Sequence, residues 1–269
     1  MIQNLATQSL NSQETGIVYL IGAGPGDPGL ITVKGLKALQ QAEVVVYDYL
    51  VNPLFLEEVQ PGAEVIYVGK KAGCHSVSQE GINELLVCHA RQGKVVARLK
   101  GGDPFIFGRG AEEAQELKAA GIPFEIIPGI SSAIAVPAYA GIPVTHRDYA
   151  SSFTVVTGHE NPKRPLSESR INWQGLAQMD GTVVFLMGVG RLAEISASLV
   201  EAGQSPFTPV AVIEWGTMAE QRTITGDLNN IAELARLNEI KAPAVIVVGQ
   251  VVNLQQQLQW FEFPQLVCC

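Results

Sequence analysis

Ile17-Val18-Tyr19-Leu20-Ile21-Gly22-Ala23-Gly24-Pro25-Gly26-Asp27-Pro28-Gly29 passes from an unbroken apolar run through a glycine turn into an amphipathic stretch at residues 29–42. An unbroken apolar run suits a strand covered on both faces. A strand, a glycine turn and a helix in that order mark the ligand site of many α/β proteins. The turn follows the dinucleotide pattern G-x-G-x-x-G only in part. Counted from Gly22, the third glycine falls on Asp27, whose carboxylate would face a pyrophosphate, and Pro25 and Pro28 remove two N–H groups that would cradle one. No Gly-Lys-Ser/Thr occurs to make a P-loop. The loop admits close main-chain approach and disfavours phosphate; a plain tight turn is the alternative.

Outward from this stretch the alternation continues. Residues 44–47, 65–68, 95–99 and 124–127 read as further strands, with helical spacing over 78–91 and 110–120 between them. A second series of strands follows at 153–157, 182–187, 210–215, 222–225 and 244–248. The pattern predicts two consecutive α/β domains, each with a largely parallel or mixed sheet, at 16–138 and 139–260, between tails at 1–15 and 261–269. Residues 158–173, rich in proline, serine and charge, read as a long loop in which Lys163, Arg164 and Arg170 would form a lid.

Over 269 residues, 18 Lys+Arg against 26 Asp+Glu give a net charge of −8. That balance speaks against nucleic acid and anionic membranes as partners, since both call for a basic surface. No basic residue precedes Lys34, and no apolar run approaches the ~20 residues that span a bilayer. Cys74, Cys88, Cys268 and Cys269 form neither a CxxC pair nor a zinc spacing. A cytoplasmic protein with reduced thiols and no metal is expected.

A second glycine motif closes the fourth strand: Arg98-Leu99-Lys100-Gly101-Gly102-Asp103-Pro104-Phe105-Ile106-Phe107-Gly108-Arg109-Gly110. Paired glycines at a strand's carboxyl end again let a ligand touch main chain. Asp103 adds a carboxylate, and Phe105, Ile106 and Phe107 add apolar surface. Such a set suits a planar base, a neutral linker and a cationic centre. S-adenosylmethionine has all three and no phosphate. Asp103-Pro104 as a simple helix entry is the alternative.

Together with Pro128-Gly129-Ile130-Ser131-Ser132 and Gly141-Ile142-Pro143-Val144-Thr145-His146-Arg147-Asp148, these runs resemble the tetrapyrrole methylases over about residues 16–260. Within that family they resemble the branch acting on uroporphyrinogen III. The resemblance implies S-adenosylmethionine held in the cleft between two α/β domains, S-adenosylhomocysteine as product, and a homodimer. It implies uroporphyrinogen III as the acceptor, methylated twice in sirohaem or cobalamin formation. Cofactor contacts would be Pro25, Gly101, Gly102, Asp103, Ile106, Ser131, Ser132, Met187, Gly216 and Ala244. Ser131-Ser132 departs from the Thr-Ala common in relatives, and Trp215 stands where some carry Asn. Asp48 would be the proton acceptor and Lys70 the proton donor. A helix cap or ribose-binding acid, and a solvated charge, are their respective alternatives.

Uroporphyrinogen is a polycarboxylate, so docking it calls for positive charge. Arg98, Lys100, Arg109, His146, Arg147 and His159 fall near expected strand ends or in interdomain loops and are the candidates. Residues 70–109 hold seven Lys+Arg against three acids, a local +4 that leaves −12 for the rest of the chain. A basic cleft in an acidic body is expected. A dinucleotide-dependent oxidoreductase and a non-catalytic ligand-binding regulator are the competing readings.

Overall fold

In the computed structural model, which describes residues 15–69, 77–159 and 170–261, β4 (Val96–Lys100) is the central strand of a five-stranded sheet ordered β3-β2-β4-β1-β5. β1 (Val18–Gly22), β2 (Val44–Tyr47), β3 (Glu64–Tyr67) and β5 (Phe124–Ile127) complete it, and every pairing is parallel. Parallel neighbours need crossovers, which α1 (Val33–Gln40), α2 (Gln79–Arg91) and α3 (Gly110–Ala119) supply. Thr32 and Ser78 cap the first two, accepting from Gly35 N and Gly81 N, each at 3.1 Å. Leu20, Val46 and Val96 pack with Leu86, Ala114 and Leu117 on one face, while Ile21, Val45 and Leu99 are buried as well. Burial of both faces accounts for the unbroken apolar strands.

From β1 the chain leads to β2 on one side, and from β4 to β5 on the other. The carboxyl ends of these two neighbours, with Gly22 beside Lys100, therefore form the switch point at which open α/β sheets bind ligands.

The second sheet is ordered β6-β7-β10-β8-β9, from β6 (Phe153–Thr157), β7 (Thr182–Leu186), β8 (Pro209–Glu214), β9 (Arg222–Asp227) and β10 (Ala244–Val248). It is mixed: β6 and β7 are parallel and the remaining pairs antiparallel. Ala133 and Val136 of α4 (Ser132–Tyr139) cover one face. Ile195 and Leu199 of α6 (Leu192–Glu201) and Ile231 of α7 (Ile231–Leu237) cover the other. The short α5 (Trp173–Gln178) and α8 (Gln255–Leu258) complete this unit. Among the described residues, no helix is long and apolar enough to cross a membrane.

The two compact units differ from the continuous halves expected at 16–138 and 139–260. One takes the chain up to Gly22 and Thr32–Pro128; the other takes Ala23–Ile31 and the chain from Gly129 onward. The glycine loop supplies the reason. Asp27 N donates to Thr217 Oγ1 at 3.0 Å, and Tyr139 Oη donates to Asp27 Oδ2 at 2.7 Å, so the loop is bonded into the second unit. At the chain's end, Trp260 Nε1 donates to Ala138 O at 2.9 Å and the Phe261 ring lies 4.8 Å from that of Tyr139. Ordered packing thus reaches into the segment expected to be a tail.

Candidate active site

Asp48 directly follows β2, and Gly101-Gly102-Asp103 follow β4, its neighbour in the sheet. Parallel neighbours end side by side, here with Tyr47 opposite Leu99, so strand pairing brings Asp48 to the glycine pair. A Cβ on Gly101 would come within 2.7 Å of Leu50 Cβ, and Gly102 sits at φ +69°. Neither place takes a side chain without cost. Asp103 is half-buried with Oδ1 accepting from Phe105 N at 2.8 Å, and Ile106 is exposed just beyond it.

Next to Asp48 lies a buried charge array. Arg98 Nη2 donates to Asp48 Oδ2 at 3.3 Å and Arg98 Nε to Glu113 Oε1 at 3.2 Å. The same Oε1 accepts from Lys100 Nζ at 2.8 Å and from Gln79 Nε2 at 3.2 Å. Strand alternation puts Arg98 and Lys100 on one face of β4, and Glu113 comes from the buried stripe of α3. Burial, and then the neighbouring Arg98 charge, hold the Lys100 ammonium below its usual range.

In the second unit, β10 runs antiparallel between β7 and β8, so the carboxyl ends of β7 and β8 share an edge with its amino end. Met187, Gly216 and Ala244, distant in sequence, meet there. Met187 is exposed at φ +57°, Ala244 is paired with Glu214, and a Cβ on Gly216 would meet Val136 Cγ1 at 2.3 Å. Ser131 caps α4 by accepting from Ala133 N at 3.2 Å, and Ser132 is the first helical residue. Pro25 is half-buried in the glycine loop, where Asp27 Oδ1 accepts from Gly29 N at 2.7 Å. The amide that would meet a phosphate is thus already held by a carboxylate that would repel one.

The basic cleft expected over residues 70–109 is not assembled among its described members. Arg98 and Lys100 are each 3% exposed and bound to Glu113, not open to substrate carboxylates. A strand buried on both faces turns every side chain inward, basic ones included. Arg91 closes α2, and Lys94 Nζ bonds Glu64 at 3.2 Å; both precede the amino end of β4, away from its ligand-side end. Arg109 is exposed but grips Glu112 at 2.9 and 2.7 Å, which raises the guanidinium above its usual range and lowers the carboxyl. Arg147 and His159 are exposed, and His146 is half-buried with Nδ1 accepting from Asp148 N at 3.2 Å. Lys70, Lys71, Lys163 and Arg164 lie outside the described residues.

The family profile described as Tetrapyrrole (Corrin/Porphyrin) Methylases matches residues 17–232. The chain belongs to this family. The S-adenosyl-L-methionine-dependent uroporphyrinogen III methyltransferase of Methanosarcina barkeri is 54% identical over 243 residues, which are 90% of this chain and 94% of that protein. The uroporphyrinogen-III C-methyltransferase of Priestia megaterium is 52% identical over 238 residues, 88% of this chain and 99% of that protein. A crystal structure of the uroporphyrin-III C-methyl transferase from Thermus thermophilus, complexed with S-adenyl homocysteine, is similar with a TM-score of 0.74 at 39% identity, covering 88% of this chain and 99% of that one.

In this tetrapyrrole methylase, four residues were not singled out from sequence: Glu113, bonded to Arg98 in the first unit, and Tyr139, Thr217 and Gln221, which hold the glycine loop in the second. A signal for Glu113 existed. Gly110, Glu113, Ala114 and Leu117 fall at helical spacing, so a carboxylate stands in an apolar stripe while Arg98 and Lys100 share a strand face. The others carry no such signal. Gln221 Oε1 accepts from Thr217 N at 2.8 Å within the turn, and its Nε2 donates to Tyr139 O at 3.2 Å, a contact that only the tertiary fold creates.

Proposed function

We infer that this chain transfers methyl groups from S-adenosylmethionine to uroporphyrinogen III, twice, giving precorrin-2 by way of precorrin-1 on the route to sirohaem or cobalamin. The observation carrying this reading is 54% identity, over 90% of the chain, to a methyltransferase with that donor and acceptor in its name. The residues present fit such a donor. The glycine loop answers phosphate with Asp27, Gly102 at φ +69° bares main chain, and half-buried Asp103 offers a carboxylate to a cationic ligand.

When bound, S-adenosylmethionine supplies an electrophilic methyl on a group that departs as a neutral thioether. No acid is needed at sulfur. Asp48 accepts the proton that the methylated macrocycle sheds, and Lys70 is the proton donor that the resemblance implies or the anchor of a substrate carboxylate. The chain otherwise orients the reacting pyrrole carbon and excludes water. The cofactor contacts are the ten residues, from Pro25 to Ala244, that the resemblance implies. Arg109, His146, Arg147 and His159 remain the proposed docking groups, while Arg98 and Lys100 take an internal role. A cytoplasmic homodimer completes the reading. Calorimetric titration tests the donor: S-adenosylhomocysteine binds and NAD does not. Binding of NAD alone would overturn the assignment.

A further inference from the structure

We propose that Glu113 is a positioning residue for methyl transfer, acting through Arg98 to hold the Asp48 carboxylate in place. The proposal rests on the reading of Asp48 as proton acceptor. Glu113 is 0% exposed, in the first turn of α3. It has no access to substrate. Its Oε1 nonetheless gathers Arg98 Nε, Lys100 Nζ and Gln79 Nε2, and its Oε2 is buried without a hydrogen-bond partner.

An array like this is not explained by stability. Burying charges costs more than their attraction returns unless the geometry is very good, and apolar replacements of equal volume often do as well. The geometry suggests what else it does. Arg98 is a planar fork with each nitrogen engaged: Nε on Glu113, Nη1 on Leu99 O at 3.1 Å and Val46 O at 3.4 Å, and Nη2 on Asp48 at 3.3 Å. Three of these anchors lie inside the sheet and helix layer, and the fourth is the half-buried carboxylate at the end of β2. Glu113 therefore fixes the guanidinium plane from behind, and that plane fixes Asp48. The charges also balance, two cations against two carboxylates. Without the Glu113 charge, both cations turn on Asp48 alone, which draws its carboxylate out of place.

Steady-state kinetics on the full chain test this with Glu113→Gln, Asp48→Asn and the double variant. The expected result is a kcat lowered about 10–100-fold by Glu113→Gln, with KM for S-adenosylmethionine and binding of S-adenosylhomocysteine within about twofold of wild type. In the Asp48→Asn background, Glu113→Gln should cost nothing further, because its effect runs through the missing carboxylate. Additive losses would overturn the proposal, as would an unchanged kcat in Glu113→Gln beside an impaired Asp48→Asn. Full turnover by Asp48→Asn would instead overturn the base assignment itself. If Glu113→Gln does not fold, Glu113→Leu/Lys100→Met removes one charge of each sign and serves in its place. The same fall in kcat with cofactor binding retained supports the proposal, and wild-type kcat overturns it.

Discussion

Tyr139 Oη donates a 2.7 Å hydrogen bond to Asp27 Oδ2, joining residues 112 positions apart in the chain. With Asp27 N on Thr217, this bond makes the glycine loop part of the second unit. Burial, then the bond to the Asp27 carboxylate and its charge, push the Tyr139 phenol from 10.0 up to about 12.

A phenol raised in the folded state contributes stability that is complete below pH 10.0 and lost as the pH climbs through about 12. Tyr139→Phe removes that contribution. It should lower stability by about 1 kcal/mol near neutrality, and the gap to wild type should close over that alkaline window. Urea unfolding at neutral and high pH measures both. A gap independent of pH would contradict the linkage.

Gly216→Ala should destabilise the second unit, because a Cβ there would meet Val136 Cγ1 at 2.3 Å. Overpacking of this kind costs about 1–3 kcal/mol. Adding Val136→Ala should return part of the lost urea midpoint by opening the space. No recovery in the pair would mean that the clash is not the cause.

Arg109 pairs with Glu112 in an exposed i,i+3 contact. Such pairs contribute well under about 1 kcal/mol, so Arg109→Ala should leave the melting temperature nearly unchanged. As a docking group it should matter more: Arg109→Ala/Arg147→Ala is expected to raise KM for uroporphyrinogen III several-fold, with KM for S-adenosylmethionine unaltered. An unaltered KM for the tetrapyrrole would remove both from the docking set.

Much of the fold was legible because its strands are short apolar runs with strong breaks between them. The mixed character of the second sheet was less so, yet part of it was readable. Only seven residues, 215–221, separate β8 from β9, too few for a parallel crossover, which takes a dozen or more. The insertion of β10 between β7 and β8 has no local signature. Nor does the assignment of Ala23–Ile31 to the second unit, which depends on Thr217 and Tyr139. In the site, Asp48 and Gly101-Gly102-Asp103 were visible as strand-end residues. Arg98 and Lys100 stand out as docking candidates in the sequence because they fall near the end of an expected strand. Alternation in a strand covered on both faces turned their charge inward, where Glu113 was waiting in the apolar stripe of α3.

The mass of the product formed anaerobically from uroporphyrinogen III, S-adenosylmethionine and the purified chain decides whether two methyl groups are transferred. The expected product is a tetrapyrrole heavier by two CH2 units, one methyl gained and one proton shed at each transfer, preceded by a singly methylated species and absent without the donor. Unmodified uroporphyrinogen III after complete incubation would contradict that transfer.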